Sequence, residues 1–348
     1  MRCYLLMFAT GLKRLSPVAA FVIAGGLVVL TPSLVGMSWS AVGAVLSGLS
    51  AMTLVALAAL WLTGLVVHTI VLTAALPGLS SRRALLLNLS GSAVSNLLPF
   101  GGAAGMGWGY VMARAWKVSP TSFAAFTVIS NIWNVVGKLL VGTALVGGAV
   151  IMGANLPLGL RGALLAGSVT VLVVVFVAVA VARSASVAAR VGRGLDTVGN
   201  RALRIVGSTK VLVFEQWLVE TRAETSATVA AGWRKLTLGV VAYLLLQALL
   251  LAACLMAVGA HVSLLVVAVG FGIERILTVV PLTPGGSGFA ELGTVAILIA
   301  LGGPAAPVTA GVLLYRFYSH VMEIPVGGAG GLVWMNWHRR DRQKVVFA

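Results

Sequence analysis

The stretch Pro281-Leu282-Thr283-Pro284-Gly285-Gly286-Ser287-Gly288-Phe289-Ala290-Glu291 constrains the fold more than any other part of the chain. It separates two apolar runs, Val262 to Val280 and Leu292 to Leu301, the first interrupted only by Glu274 and Arg275. Two prolines and three glycines within eight residues cannot continue a helix. At membrane depth such a break leaves backbone groups that lipid cannot satisfy, so it survives only against protein or a water-filled cavity. Glu291 then falls in the first turn of the next helix, where a carboxylate suits the positive end of the helix dipole. Two readings follow. One is a plain turn with a capping acid. The other is a re-entrant hairpin whose loop amides and helix N-terminus receive an anionic group. The acidic and basic residues beside the loop favour the second.

The membrane premise rests on composition. Of the 348 residues 59% are hydrophobic and only 9% charged, against about 25% charged in ordinary soluble domains. The expectation is an all-α polytopic membrane protein with essentially no soluble domain. Net charge is +16, but the basic residues gather between the apolar runs, which reads as topology. No basic-aromatic module is visible, and nucleic acid is excluded as a partner. Cys3 and Cys254 are far apart, and no metal-ligand spacing occurs, so neither a disulfide framework nor a metal or other cofactor is expected. Arg2, Lys13 and Arg14 precede an apolar run of spanning length without a small-residue cleavage site, which reads as an uncleaved first span.

Hydropathy predicts full spans at about 18–35, 51–76, 121–152, 158–181, 236–258 and 308–337. Residues 39–50 form a short Gly/Ser-rich interfacial segment. A second Pro-Gly-Gly break, Pro99-Phe100-Gly101-Gly102, echoes the one at 284–288 and predicts a first hairpin over 84–117, with the second over 262–301. The expected organisation is an N-terminal membrane repeat, 1–182, a basic amphipathic linker, 183–235, and a C-terminal membrane repeat, 236–348. Val187, Val191, Leu195, Val198, Ala202 and Ile205 recur at helical spacing in the linker, as in helices lying on a membrane face. If both hairpins return to the side they enter from, 20 of the 24 basic residues fall on one side, with the N- and C-termini. That side is expected to be cytoplasmic. The first hairpin would open to the cytoplasm and the second to the outside, giving six spans and an inverted-topology repeat of the transporter kind.

Ionisable residues inside apolar segments are the candidate site: Lys138, Glu274, Arg275, Glu291, Arg316 and Glu323. Each costs roughly 2.5–3.5 kcal/mol on the lenient insertion scale and needs a partner or a wet cavity. Pairing among themselves is one reading. The other is a cavity in which Arg316 and the amides of Gly285, Gly286, Ser287 and Gly288 hold a phosphate, for which the Arg fork is suited. Thr127, Asn131, Asn134 and Lys138 form one polar stripe on an apolar helix, read as the lining of a path. Asn88, Ser92 and Asn96 share a face of the first hairpin. Arg316, His320 and Glu323 share a face of the last helix, with His320 a candidate proton-sensitive neighbour. His68 reads as packing.

The pattern Pro281-x-x-Pro284-Gly285-Gly286-x-Gly288-x-x-Glu291, followed by Tyr315-Arg316, resembles the lysylphosphatidylglycerol synthase transmembrane-region family. This is the flippase-like domain of the multiple peptide resistance factor and of stand-alone relatives, and the likeness covers nearly the whole chain. After its first Gly-Gly the family usually shows Gly-acid-x-x-Arg, whereas this chain has Gly105-Met106-Gly107-Trp108-Gly109. The C-terminal hairpin is therefore the expected site. The resemblance implies movement of a lipid with a charged or glycosylated head group between leaflets, such as an aminoacylated phospholipid or a polyprenyl-phosphate-linked sugar. The expectation is a lipid translocase of the inner membrane, flippase or scramblase, and not an enzyme. Glu274, Glu291 and Glu323 would set the charge balance around Arg316 and Lys138. The alternative is a non-transporting membrane subunit that docks a glycosyltransferase or lipid synthase.

Overall fold

In the computed structural model the described residues are 16–97, 101–153, 184–205, 214–279 and 287–346, with a few positions between 162 and 181. All regular structure among them is helical. The helices are α1 (Ser16–Leu34), α2 (Trp39–Ser47), α3 (Ala51–Ala75), α4 (Ser81–Leu97), α5 (Gly101–Ala115), α6 (Pro120–Ile151), α7 (Ala185–Ile205) and α8 (Phe214–Ala257). After them come α9 (Leu264–Leu277), α10 (Phe289–Ala300), α11 (Ala305–Arg316), a π-helical turn (Phe317–Val321) and α12 (Glu323–Val346).

Serine starts several of them. Ser38, Ser50, Ser119 and Ser263 have extended backbones, and each hydroxyl accepts a backbone N–H three residues on. Pro120 follows Ser119, at a position where its missing N–H costs nothing. These caps satisfy orphan amides that lipid would leave bare.

Among the described residues three helices are long and apolar enough to cross a membrane: α3, α6 and the Thr225–Ala257 part of α8. The Gly25–Leu34 part of α1 and α2 make a fourth if read as one span, though they bend by 91° between them. The expected count of six is not reached among the described residues, for three reasons. The span expected at 158–181 lies outside them but for those few helical positions. The first is bent away from a straight crossing. The last, expected as a regular helix over 308–337, is interrupted by the π turn. The linker region holds α7, while α8 runs unbroken through its expected edge at 235/236.

Small residues set the packing, as they must where lipid removes the hydrophobic drive between helices. α3 and α8 are antiparallel: Gly64 faces Tyr243 and Leu246, Gly239 faces Ile70 and Val71, and Gly232 faces Ala74. α6 joins them where Gly137 meets Val240 and Leu244. Leu244, Leu250, Leu251 and Leu255 of α8 are fully buried.

Two hairpins are laid on this scaffold. In the first, α4 and α5 are antiparallel, with Gly109 against Leu87, Gly105 against Gly91 and Gly101 against Ser95. A Cβ on Gly105 would sit 2.6 Å from the Gly91 carbonyl oxygen, so only glycine permits this approach. In the second, α9 and α10 are antiparallel, with Gly270 against Leu298 and Gly293 against Leu277. Their 14 and 12 residues make helices of about 21 and 18 Å, short of the roughly 30 Å hydrocarbon core. α9 lies along the second half of α6 through reciprocal contacts of Gly142 and Gly272, so the tip of the second hairpin ends near the middle of α6.

α12 runs antiparallel to α4, with Gly327 on Leu89 and Gly330 on Leu86. The basic ends of α4 (Arg82, Arg83), α5 (Arg114) and α12 (Arg339, Arg340) therefore lie together. The first hairpin rises from this basic end, and the second descends from the opposite one. The end of α4 meets the chain just past the π turn through Asn96 and Glu323, and the start of α10 meets it just before the turn through Glu291 and Arg316.

Candidate functional site

Hairpin two ends in a chain of buried charges. Gly288 has φ +83, which glycine adopts without strain, and it starts α10. Its N–H donates to Glu291 Oε2 at 2.7 Å. Glu291 Oε1 accepts from Arg316 Nε at 2.7 Å. Arg316 Nη1 donates to Glu274 Oε1 at 3.2 Å. Glu274 pairs through its other oxygen with Arg275. Arg275 Nη2 donates to the Tyr315 hydroxyl at 2.9 Å, and its guanidinium lies 4.8 Å from the Phe271 ring centroid. Glu274, Arg275, Glu291, Tyr315 and Arg316 are all buried. Two carboxylates meet two guanidiniums, so each charge is neutralised. This is the case in which buried ions are tolerable. The network also clamps α9 and α10 to α11.

Arg316 has a third partner, because its Nη2 lies 3.3 Å from His320 Nε2. A guanidinium only donates, so Nε2 accepts and the ring proton sits on Nδ1. His320 Nδ1 is buried, with the Ser319 backbone beside it. Ser319 Oγ is also buried, without a partner among the described residues.

The π turn explains where Glu323 goes. A regular helix would keep Arg316, His320 and Glu323 on one face. The wide turn over Phe317–Val321 rotates Glu323 away from Arg316 and toward the first hairpin. There Asn96 Nδ2 donates to the His320 carbonyl oxygen at 3.1 Å and reaches Glu323 Oε2 at 3.5 Å. Ser92 also bonds Glu323. Ser92 and Asn96 are thus site residues, and their signal in the sequence is their spacing of four on an apolar helix.

α6 supplies the remaining charge. Lys138 is half-buried, within electrostatic reach of Glu274, Arg275, Arg316 and Glu323. Among the described residues it makes no ion pair and no hydrogen bond. One turn earlier, Asn134 Oδ1 lies 3.1 Å from His68 Nε2, and the His68 ring packs on Tyr243 at 4.4 Å between centroids. His68, read as simple packing, thus ties α3 to α6 and α8. Gln247 donates to the Tyr243 hydroxyl at 3.0 Å, and its own Oε1 is buried without a partner among the described residues. The polar stripe on α6 divides here. Asn134 and Lys138 face the site, whereas Thr127 bonds Phe123 O, and the exposed Asn131 bonds Thr127 O.

Of the loop residues, Ser287 and Gly288 are placed at the start of α10, and Gly285 and Gly286 lie outside the described residues. No group of three or more His, Cys, Asp or Glu side chains able to hold a metal occurs among the described residues. Cys254 is a buried free thiol in the core of α8.

The family model for the lysylphosphatidylglycerol synthase TM region matches residues 18–327. The chain belongs to this family. The match takes in both hairpins, the charge network, Lys138 and the π turn, and it ends four residues beyond Glu323. No curated protein matches the chain. With its apolar helices, this lysylphosphatidylglycerol synthase TM-region chain is a membrane-embedded, multi-pass helical protein.

Proposed function

We propose that this protein is a lipid translocase, flippase or scramblase, that takes the phosphate of a lipid head group into the space facing Lys138. One observation carries the reading. Lys138 is a cation in an apolar span with no counter-ion within bonding distance among the described residues, while the four neighbouring charges of the hairpin network neutralise one another. An unpaired charge at that depth is costly, so it calls for an anion or a wet cavity. The Ser319 hydroxyl, buried and without a partner among the described residues, adds a donor on the adjoining turn. Arg316, occupied by Glu291, Glu274 and His320, positions His320 and holds the hairpin tip.

In this reading the two hairpins re-enter the membrane from opposite faces and form an inverted-topology repeat, with the head-group site between their tips. The basic end is cytoplasmic by the positive-inside rule, in the inner membrane. Chemistry on the lipid is not required. The cargo is a phosphate-bearing lipid such as an aminoacylated phospholipid or a polyprenyl-phosphate-linked sugar.

The test is a reconstituted flipping assay. Purified protein in liposomes, each batch doped with one fluorescent phosphate-bearing lipid, is exposed to a reductant that bleaches only the outer leaflet. Bleaching beyond half of the probe for one lipid class, absent in protein-free liposomes, supports translocation. Bleaching at the protein-free level for every class tested would remove the reading and favour a non-transporting subunit of a glycosyltransferase or lipid synthase.

A further inference from the structure

The polar stripe on α6 runs on into the contact with hairpin two. Thr127, Asn131, Asn134, Lys138, Gly142 and Val146 follow one another at steps of three or four residues, so they share one side of the helix. Gly142 and Val146 both meet Gly272 of α9, and Gly142 also meets Arg275 and Ile276. α9 therefore covers this side of α6 in the half away from the basic end, antiparallel to it. Its last residue, Leu277, comes within about one turn of Lys138. Toward the basic end the same side of α6 turns polar where that cover stops.

Asn131 is exposed there, about 16 Å along α6 from Pro120. A bare amide at that depth is costly in hydrocarbon, and polar groups in spans face a bundle interior or a water-filled space. The helix satisfies it only in part. Asn131 Nδ2 donates one proton to Thr127 O at 2.8 Å, and Thr127 gives its hydroxyl proton to Phe123 O at 2.8 Å. The second Nδ2 proton and Oδ1 of Asn131 make no hydrogen bond among the described residues.

Cations stand at both ends of this strip. Arg114 and Lys117, just before α6, are exposed at the basic end, where positive charge gathers anionic lipid. Lys138 lies about 16 Å beyond Thr127 along the helix. Uncharged polar groups between two cationic ends suit an anionic head group that moves along the helix while its chains stay in the bilayer.

We infer that α6 from Thr127 to Lys138 is the entry lane of the lipid. Along it a phosphate-bearing head group from the leaflet at the basic end reaches Lys138, with Asn131 as a positioning residue. The inference rests on the translocase reading above and adds the route and the leaflet of entry.

The first measurement is thiol labelling of the full chain in oriented membrane vesicles, in a Cys3→Ser, Cys254→Ala background. Asn131→Cys should react with a charged thiosulfonate reagent added on the side of the basic end. Dihexanoyl phosphatidic acid should slow that reaction, and dihexanoyl glycerol should not. Leu140→Cys is also exposed, but it lies two and a half turns further on, on the opposite side of α6, and should not react. Reaction at neither position would put acyl chains or a second copy of the chain over Asn131 and overturn the lane. Equal reaction at both, or reaction at Asn131→Cys indifferent to the phosphate lipid, would overturn it as well. In the flipping assay Asn131→Leu should slow translocation about tenfold, the weight of one hydrogen bond to the passing phosphate, at an unchanged unfolding temperature. Asn131→Gln, which keeps the amide, should restore most of the rate. A wild-type rate from Asn131→Leu beside an inactive Lys138→Met would remove the lane and leave the translocase standing. No translocation by the wild-type chain would remove both.

Discussion

Arg316 and Lys138 are both cations in apolar helices, yet their surroundings predict opposite responses to removal. Arg316→Ala leaves Glu291 and Glu274 buried with a lost partner each. Breaking a buried pair costs about 3–5 kcal/mol, so the unfolding temperature in detergent should fall steeply. Lys138→Met removes a charge that the described protein does not pair and should leave that temperature unchanged or higher. Gly288→Ala places a Cβ at φ +83 and loosens the N–H to Glu291 bond. Its cost should exceed about 1 kcal/mol, read as a lower unfolding temperature in the same assay. The sequence shows which charges are anomalous, because ionisable groups in apolar runs are conspicuous. It does not show who pairs with whom. Glu291 to Arg316 and Glu274 to Arg316 join three helices, and such pairing depends on tertiary placement.

Among the elements, the antiparallel pairs α4/α5 and α9/α10 flank the two Pro-Gly breaks read in the sequence, and α3 and α6 were legible from their apolar runs. The π turn was not. Phe317-Tyr318-Ser319-His320-Val321 carries no proline or glycine, and its wide turn brings Glu323 to Asn96 of α4. The division of the α6 stripe was equally hidden, since Asn131 returns its amide to its own helix. The contact between hairpin two and α6 rests on glycine. A Cβ on Gly142 would lie 2.8 Å from the Gly272 carbonyl oxygen, and one on Gly272 would lie 2.7 Å from that of Gly142. Because the obstructing atoms are backbone, Gly142→Ala should push the helices apart at a cost of about 1–3 kcal/mol. The check is a lower unfolding temperature for Gly142→Ala, with no such drop for Gly147→Ala, which has open space around it on the same helix.

At the scale of the whole molecule, charge and geometry agree. The ends of α4, α5 and α12 that carry Lys and Arg converge, and the α4/α5 and α9/α10 pairs reach the π turn from its two sides through Asn96 and Glu291. A topology experiment follows. In a Cys3→Ser, Cys254→Ala background, Ser81→Cys at the start of α4 should be labelled by an impermeant thiol reagent only from the cytoplasm. His261→Cys, before α9, should be labelled only from the opposite side. Both positions are exposed. Labelling of both from one side would refute the opposed hairpins. The central claim concerns Lys138, and the most direct measurement is the translocation rate of Lys138→Met in liposomes, using protein whose unfolding temperature matches the wild type. The account predicts a rate no different from protein-free liposomes. A wild-type rate from this variant would contradict it and move the head-group site away from α6.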